Sequence, residues 1–282
     1  MSKTVRIAVA ALAVGLCAGA GFALQGDPQN FAADLYVPGA PAIAAAAAPR
    51  TAAAPASTFY RIPEAILFDN GPLTTHPAGG SGGADASAVQ TALTLSTYGF
   101  GHAISSGFRM ADDFTVPAGG WNISQITFYA YQSFSGTTPT INNVNLQIWN
   151  GPPGQVGSTV VFGDTATNRL AGSSFSNIYR ALDTALTNPD RPIMANVVTV
   201  GTVLAAGTYW LDWQTGGTLA SGPWAPPVSV LGQTAKPGAN GLQFNPTGAT
   251  WGAALDTTFQ QDLPFVIEGV LLPVELMSFS VE

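Results

Sequence analysis

The chain has 282 residues, a formal net charge of −7, and charged side chains at only 9% of its positions. An acidic surface repels phosphate groups, so the charge argues against nucleic acids and anionic lipid surfaces as partners. The single cysteine, Cys17, lies near the amino terminus, which excludes a disulfide framework and a cysteine-based metal site in the rest of the chain.

The amino terminus, from Met1 to Ala23, has the pattern of a secretory signal peptide. Lys3 and Arg6 form a basic start, an apolar run follows, and small residues end it. The apolar run is shorter than the roughly 20 residues that a membrane-spanning helix needs. We therefore expect a cleaved signal at residues 1–23, a secreted or cell-surface location, and no membrane insertion after the signal is removed.

Residues 24–57 are rich in alanine and proline and predict a linker. Proline interrupts any helix in this segment, and nothing in it can build a core. The folded domain is expected over residues 58–272, followed by a carboxy-terminal tail at 273–282.

Strand patterns dominate residues 58–272. Val144, Leu146 and Ile148 alternate with polar residues, which predicts a strand with one buried face. Comparable strand patterns occur at 108–116, 126–130, 193–204, 209–213 and 265–267. Glycine and proline turns separate these runs, and no helix of any length appears between them. The prediction is an all-β fold, a single jelly-roll-like antiparallel β-sandwich after the signal peptide and the Ala/Pro-rich linker.

Four stretches carry a resemblance: RMADDFTVPAGGWNISQITFYAYQ, NVNLQIWNGPPGQVGSTVVFGD, LAAGTYWLDWQ and QDLPFVIEG. Together they resemble a group of exported, largely uncharacterised bacterial proteins. In these, a jelly-roll-like sandwich carries an ADDF-x-V-P strand, a G-x-P-G turn and an L-x-A-G-x-Y-W-L strand. The resemblance covers residues 64–270 and implies the fold and the export. It implies no catalytic residue, because the group shares no catalytic motif.

The tail is similar to the LPVEL-x-S-F segment at which sorted surface proteins leave their main domain. In this sequence no glycine-rich sorting segment and no anchor helix with a basic end follow it. We therefore expect free secretion rather than attachment to the cell surface.

The glycine-rich stretch HPAGGSGGADAS matches the G-x-S-x-G pattern of serine hydrolases around Ser81. A nucleophile elbow needs a strand before the serine and a helix after it, and neither is predicted here. A calcium repeat of the glycine-aspartate type would place Asp85 one position earlier and needs stacked copies. We expect a glycine loop without a catalytic serine.

Candidate metal ligands are few. Asp112 shares the parity of the apolar residues in its strand, so its carboxylate is expected on the buried face, where an unpaired charge is costly. The favoured interpretation is that it accepts backbone N–H bonds or pairs with an arginine. The alternative is a structural calcium ion bound by Asp112, Asp85 and Asp69 with loop carbonyls. No other cofactor is expected, and His76 and His102 lack the spacing of a zinc site.

Tryptophans are the candidate ligand contacts. Trp224 and Trp251 lie in the loop-like stretches SGPWAPP and GATWGAA, while Trp149 and Trp210 fall on the faces opposite the apolar residues of their strands. Exposed rings beside polar side chains bind sugars by stacking and hydrogen bonding. The leading hypothesis is a non-catalytic exported module, binding or structural, with polysaccharide or another extracellular polymer as its partner.

Two alternatives stay open. A secreted polymer hydrolase would need two carboxyl groups roughly 5 to 9.5 Å apart across a cleft. The sequence does not show which carboxylates converge among Glu64, Glu268, Asp112, Asp113 and Asp212. A self-associating coat or matrix protein would fit the low charge and the glycine-rich turns. Paired carboxylates in a pocket would favour the hydrolase, and exposed rings along a groove would favour sugar binding. A surface with neither feature would favour the coat or matrix protein.

Overall fold

A computed structural model describes residues 64–272 of the chain. The expected signal peptide and linker at 1–57, the start of the expected domain at 58–63 and the tail at 273–282 lie outside the described residues. The described part is all-β, with sixteen strands and three single 3₁₀ turns. Within it, no helix has the length and apolarity needed to cross a bilayer. The all-β class predicted from the alternating patterns is confirmed.

Two six-stranded sheets make up most of the structure, with strands numbered in chain order. The first sheet contains β1 (Ala65–Asp69), β2 (Asp85–Val89), β5 (Trp121–Ala130), β8 (Leu170–Leu182), β9 (Pro192–Leu204) and β16 (Phe265–Leu271). The second contains β4 (Arg109–Val116), β6 (Ile141–Trp149), β7 (Val160–Asp164), β10 (Gly207–Gly217), β12 (Leu242–Asn245) and β13 (Thr250–Ala253). The remaining pairs are β3 (Phe100–Gly101) with β11 (Trp224–Ala225), and β14 (Leu255–Asp256) with β15 (Phe259–Gln260).

The strand order is β1-β16-β5-β9-β8-β2 in the first sheet and β13-β12-β4-β10-β6-β7 in the second. Neighbouring strands in both sheets are antiparallel except β2 and β8, which pair in parallel. The chain passes repeatedly between the sheets, from β4 to β5 and then to β6. Sequence neighbours therefore often face each other across the core instead of pairing side by side.

The core lies between the two sheets. The predicted alternation in β6 is confirmed, because Val144, Leu146 and Ile148 are completely buried. Apolar side chains from β4, β10, β5 and β16 join them in one cluster. Each fully buried apolar side chain contributes about 1.5–3 kcal/mol of transfer free energy, which makes this cluster the main source of stability. The arrangement is β-sandwich-like.

Candidate functional site

Trp149 and Trp210 lie side by side on the second sheet. They are direct partners across β6 and β10, and both belong to the face opposite the core residues of their strands, as the parity predicted. We call this the outer face of the second sheet, defined by Trp149, Trp210, Asp212, Arg109 and Phe244. The expectation of exposed rings is not met at Trp210, of which only 6% is exposed.

The connection that follows β6 covers part of this outer face. In the turn at 150–154, which has the sequence NGPPG, Pro153 is buried, and a Cβ built on Gly154 would lie 2.9 Å from Cδ1 of Trp251. Trp251 is on β13, and β10, β4 and β12 separate that strand from β6. The turn therefore reaches across the sheet, and the tryptophans there are packed against protein instead of forming an open platform.

A buried ion pair fills the outer face beneath this turn. Arg109 Nε donates to Asp212 Oδ1 at 2.9 Å, and Trp149 Nε1 donates to Asp212 Oδ2 at 3.2 Å. The Arg109 guanidinium carbon lies 4.1 Å from the ring centre of Phe244 and 5.2 Å from that of Trp251. Burial raises the pKa of Asp212 to about 6, although Arg109 and the hydrogen bond from Trp149 oppose the shift. Trp149 bonds to Asp212 and Trp251 packs near Arg109, so both rings already have contacts within the protein.

Trp224 has a different environment from the other three candidates. It is half-buried on β11, which pairs with β3, and its backbone N–H and C=O both bond to Tyr131 at 2.9 and 3.0 Å. Its side chain lines two clefts, one of about 530 Å³ and one of about 270 Å³. The indole of Trp224 is therefore a wall that the two clefts share.

The larger cleft combines aromatic and hydroxyl groups. Phe108 and Trp224 supply its rings, and Ser105, Ser106 and Gln243 supply polar groups. Gln243 Nε2 donates to the backbone oxygen of Gly101 at 2.8 Å, which ties β12 to the floor of the cleft. These side chains come from three separate parts of the chain.

Trp224 also lines the smaller cleft. Tyr98, Tyr131, Arg191 and Ser133 line it together with Trp224. The guanidinium carbon of Arg191 lies 3.7 Å above the Tyr98 ring, a cation–π arrangement that leaves the guanidinium N–H groups at the cleft. Burial raises the pKa of Tyr131, so its hydroxyl stays neutral. A Cβ on Gly99 would approach the Tyr131 hydroxyl to 2.9 Å, so this approach requires glycine.

A buried arginine, Arg180, supports the segment that carries Tyr98. Its guanidinium is 1% exposed and donates to five neutral oxygens. The acceptors are the side-chain oxygens of Ser87 and Ser229 and the backbone oxygens of Ala88, Thr97 and Tyr98. Burial lowers the pKa of Arg180 to about 10, so the group stays charged at neutral pH.

The three predicted calcium ligands have separate hydrogen-bond partners. Asp69 Oδ1 accepts from the Gly71 N–H at 2.8 Å. Asp85 accepts from the Ala78 N–H at 2.9 Å and from Thr74 Oγ1 at 3.2 Å. In residues 64–272, no group of three or more His, Cys, Asp or Glu side chains is arranged to hold a metal ion.

Asp112 is completely buried on the core face, as its parity predicted. Its carboxylate accepts backbone N–H bonds from Asp113 at 2.9 Å and Leu263 at 2.6 Å, which matches the favoured interpretation. It also accepts from Asn70 Nδ2 at 2.9 Å. Burial, followed by the charge of Asp262, raises its pKa well above the usual range.

The glycine-rich stretch forms a short turn. His76 and Ala86 make an isolated antiparallel bridge, and Ser81 begins a single 3₁₀ turn that ends at Gly83. Strand β2 follows directly, so no helix follows the serine as a nucleophile elbow requires. The hydrogen bond from Ala78 to Asp85 holds this turn together.

Sequence reasoning missed most of the groups around Trp224. Tyr98, Tyr131 and the pair Arg180 and Arg191 come from three distant segments, and no local pattern connects them. The sequence offers one signal, Arg180 within the apolar stretch IYRAL, because a charged group on a buried strand needs partners.

Comparison with known proteins adds no assignment. Neither models of protein families nor curated proteins nor solved structures match this chain. The chemistry of the clefts beside Trp224 is therefore the basis for a functional proposal.

Proposed function

We propose that the protein is a non-catalytic module that binds carbohydrate in the two clefts beside Trp224. The observation that carries this proposal is the shared wall: one indole lines both the 530 Å³ and the 270 Å³ cleft. The larger volume falls within the range of roughly 300 to 1,000 Å³ found for small-molecule sites.

The chemistry of the lining supports a neutral, hydroxyl-rich ligand. Aromatic rings such as Phe108, Trp224 and Tyr98 offer apolar surface for the C–H faces of a sugar ring. Serine hydroxyls, the Gln243 amide and the Arg191 guanidinium can exchange hydrogen bonds with sugar hydroxyls. Because the two clefts share a wall, a ligand that fills both must be an oligomer, which favours a polysaccharide.

The lining gives no support to the alternative of a polymer hydrolase. Among the described residues, neither cleft beside Trp224 is lined by Asp or Glu. Glycoside hydrolysis uses a pair of carboxyl groups that flank the scissile bond. Binding without hydrolysis is therefore the function that these clefts support best.

The proposal includes export and a jelly-roll-like arrangement of the two sheets. Export is supported by the basic, apolar and small-residue pattern of residues 1–23. The jelly-roll arrangement is supported by a chain that alternates between two six-stranded sheets. Amino-terminal sequencing of protein recovered outside the cell tests the export, since retention of Met1 would contradict a cleaved signal.

The test of the binding function is retention of the purified protein on insoluble polysaccharides, followed by titration with soluble oligosaccharides. We expect Trp224→Ala to lose about two- to tenfold in affinity, because stacking on an aromatic ring contributes about 0.5–1.5 kcal/mol. Retention that depends on calcium would direct the search to Asp112, Asp85 and Asp69.

Trp251→Ala is the matched control. The Trp251 ring is also half-buried, but it packs against Phe244 and Arg109 and lines neither cleft. The Trp251→Ala variant should bind polysaccharide as tightly as the unaltered protein does. Equal retention of Trp224→Ala and the unaltered protein would contradict the site, and no retention on any polymer would contradict carbohydrate binding.

A further inference from the structure

Four segments of the chain meet at one buried polar cluster, away from the clefts. Asn70 follows β1, Asp112 lies in β4, Asp262 precedes β16 and Lys236 lies in the connection before β12. Asn70 is 2% exposed, Asp112 is completely buried and Asp262 is 6% exposed. The amide and the two carboxyl groups are buried, and the lysine reaches them with a side chain that is 29% exposed.

The hydrogen bonds fix the orientation of the Asn70 side chain. Its Nδ2 donates to Asp112 Oδ2 and to the backbone oxygen of Leu263, both at 2.9 Å. Its Oδ1 accepts from Lys236 Nζ at 2.5 Å. The amide oxygen thus faces the lysine and the amide nitrogen faces the aspartate.

This orientation brings a nucleophile to an electrophilic carbon. A carbonyl bond is about 1.2 Å long, so Lys236 Nζ lies less than about 3.8 Å from Asn70 Cγ. Atoms that react in well-positioned complexes start at about 3–3.5 Å. Nζ is also 3.4 Å from Asp262 Oδ2, which can accept a proton from the ammonium group.

We propose that Lys236 and Asn70 join in an intramolecular isopeptide bond, with Asp112 and Asp262 as the groups that move protons during its formation. The bond would connect the segment after the first strand to the connection before β12, across a sequence separation of 166 residues. No cofactor, oxidant or second protein is needed.

The chemistry balances within the cluster. Asp262 takes one proton from the Lys236 ammonium, and the free amine attacks Asn70 Cγ. The new Nζ–Cγ bond forms, Asp112 delivers its proton to Nδ2, and the Cγ–Nδ2 bond breaks. Nζ loses its second proton, which restores the acid form of Asp112, and ammonia leaves with the proton that Asp262 holds. The two protons that the lysine ammonium loses therefore end on the departing ammonium ion.

The environment of Asp112 suits a proton donor to the departing nitrogen. Its place on the core face, between Met110 and Phe114 along the strand, excludes water that would compete with the amine. Burial and the charge of Asp262 raise the pKa of Asp112, which favours the protonated form that the leaving nitrogen needs.

The test is the intact mass of the purified protein under denaturing conditions. We expect a mass one ammonia molecule lower than the mass calculated for the chain from its observed amino terminus, and a branched peptide in a protease digest that joins the segments around residues 70 and 236. Lys236 is the only lysine after Lys3, so the mature protein would have no lysine amine left for an amine-specific label. A mass equal to the calculated mass, without the loss of ammonia, would overturn the proposal.

Two variants complete the test. Lys236→Arg keeps the charge but removes the nucleophilic amine, so the full sequence mass should return. If the ammonia loss persists in this variant, it comes from a succinimide at the Asn70–Gly71 bond, and the isopeptide bond is ruled out. Asp112→Asn keeps the size of the side chain but cannot move the proton, so we expect unlinked protein. Full linkage in that variant, with circular dichroism showing that it is folded, would overturn the role of Asp112.

Discussion

His102 is completely buried behind the larger cleft. Its neighbours Gly101 and Ala103 line the cleft, so the alternation of the chain turns the imidazole inward. Among the described residues, neither ring nitrogen makes a hydrogen bond of full geometry, and the nearest acceptors are the carbonyl groups of Phe100 and Pro223. Burial lowers the pKa of His102 to about 4, and the carbonyl groups of Phe100 and Pro223 oppose the shift only in part. The protein therefore holds this imidazole neutral.

A lowered histidine pKa has a definite effect on stability. Between about pH 4 and 6.5 the unfolded chain binds a proton at His102 that the folded chain does not, so the free energy of unfolding rises with pH across this window. The free energy of unfolding should rise by about 3 kcal/mol less across this window in His102→Leu than in the unaltered protein. Urea unfolding at several pH values between 4 and 7 measures this difference.

The comparison must use the difference between the variant and the unaltered protein. Asp212, with its pKa raised to about 6, stabilises the folded chain below pH 4 and loses that contribution as the pH rises through 6. The contribution of Asp212 to the pH dependence has the opposite sign to that of His102, but it is the same in the variant and the unaltered protein. Identical pH slopes for the two would contradict the assignment to His102.

At the level of elements, Arg180 joins two paired strands, β8 and β2, to two segments outside their sheet. From β8 it bonds to β2, to the segment before β3 and to Ser229. A charged group with five neutral acceptors replaces the water that those oxygens would otherwise bind. This arrangement explains how a buried arginine is tolerated, and it positions Tyr98 at the smaller cleft.

Arg180→Met should lower the free energy of unfolding by more than about 3 kcal/mol, because several buried oxygens lose their donors at once. Arg169→Met is the matched control, since Arg169 pairs at 3.4 Å with the partly exposed Asp164 and such pairs contribute at most about 1 kcal/mol. Urea unfolding measures both. Equal losses in the two variants would show that Arg180 does not hold these segments together.

The elements themselves could be predicted because alternation is a local property. The parity of Val144, Leu146 and Ile148 predicted their burial, and the same reasoning placed Asp112 on the core face. The pairing of β10 between β4 and β6 could not be predicted, because register depends on residues about 60 to 100 positions away.

The candidate site could be predicted only in outline. Trp224 was singled out from its loop-like context, but the clefts beside it need Tyr98, Tyr131 and Gln243 from other parts of the chain. The parity of Trp210 was right and its exposure was wrong, because only 6% of the residue is exposed. Tertiary contacts of this kind leave no periodic signal in the sequence.

On the scale of the whole described domain, the two sheets share one core. The ring of Phe265 in β16 lies 5.6 Å from Phe68 and 6.5 Å from Phe128 in its own sheet. It also lies 6.5 Å from Phe114 and 6.4 Å from Trp213 in the other sheet. The sheets should therefore unfold as a unit.

Phe265→Ala should lower the free energy of unfolding by about 3–5 kcal/mol, because it leaves a cavity between both sheets. Circular dichroism and tryptophan fluorescence should report the same shifted transition. Val203→Ala, at a position 59% exposed on β9, should change the stability by less than about 0.5 kcal/mol. Two separate transitions would show that the sheets fold independently.

If both clefts bind sugar as proposed, Trp224, which lines both, would make their affinities depend on each other. Whatever change the first ligand makes in the affinity for the second, the second then makes in the affinity for the first. A short sugar bound on one side would then act as an effector of a longer chain bound on the other. On the proposed function, a single side chain would then be enough to give this domain cooperativity without a second subunit.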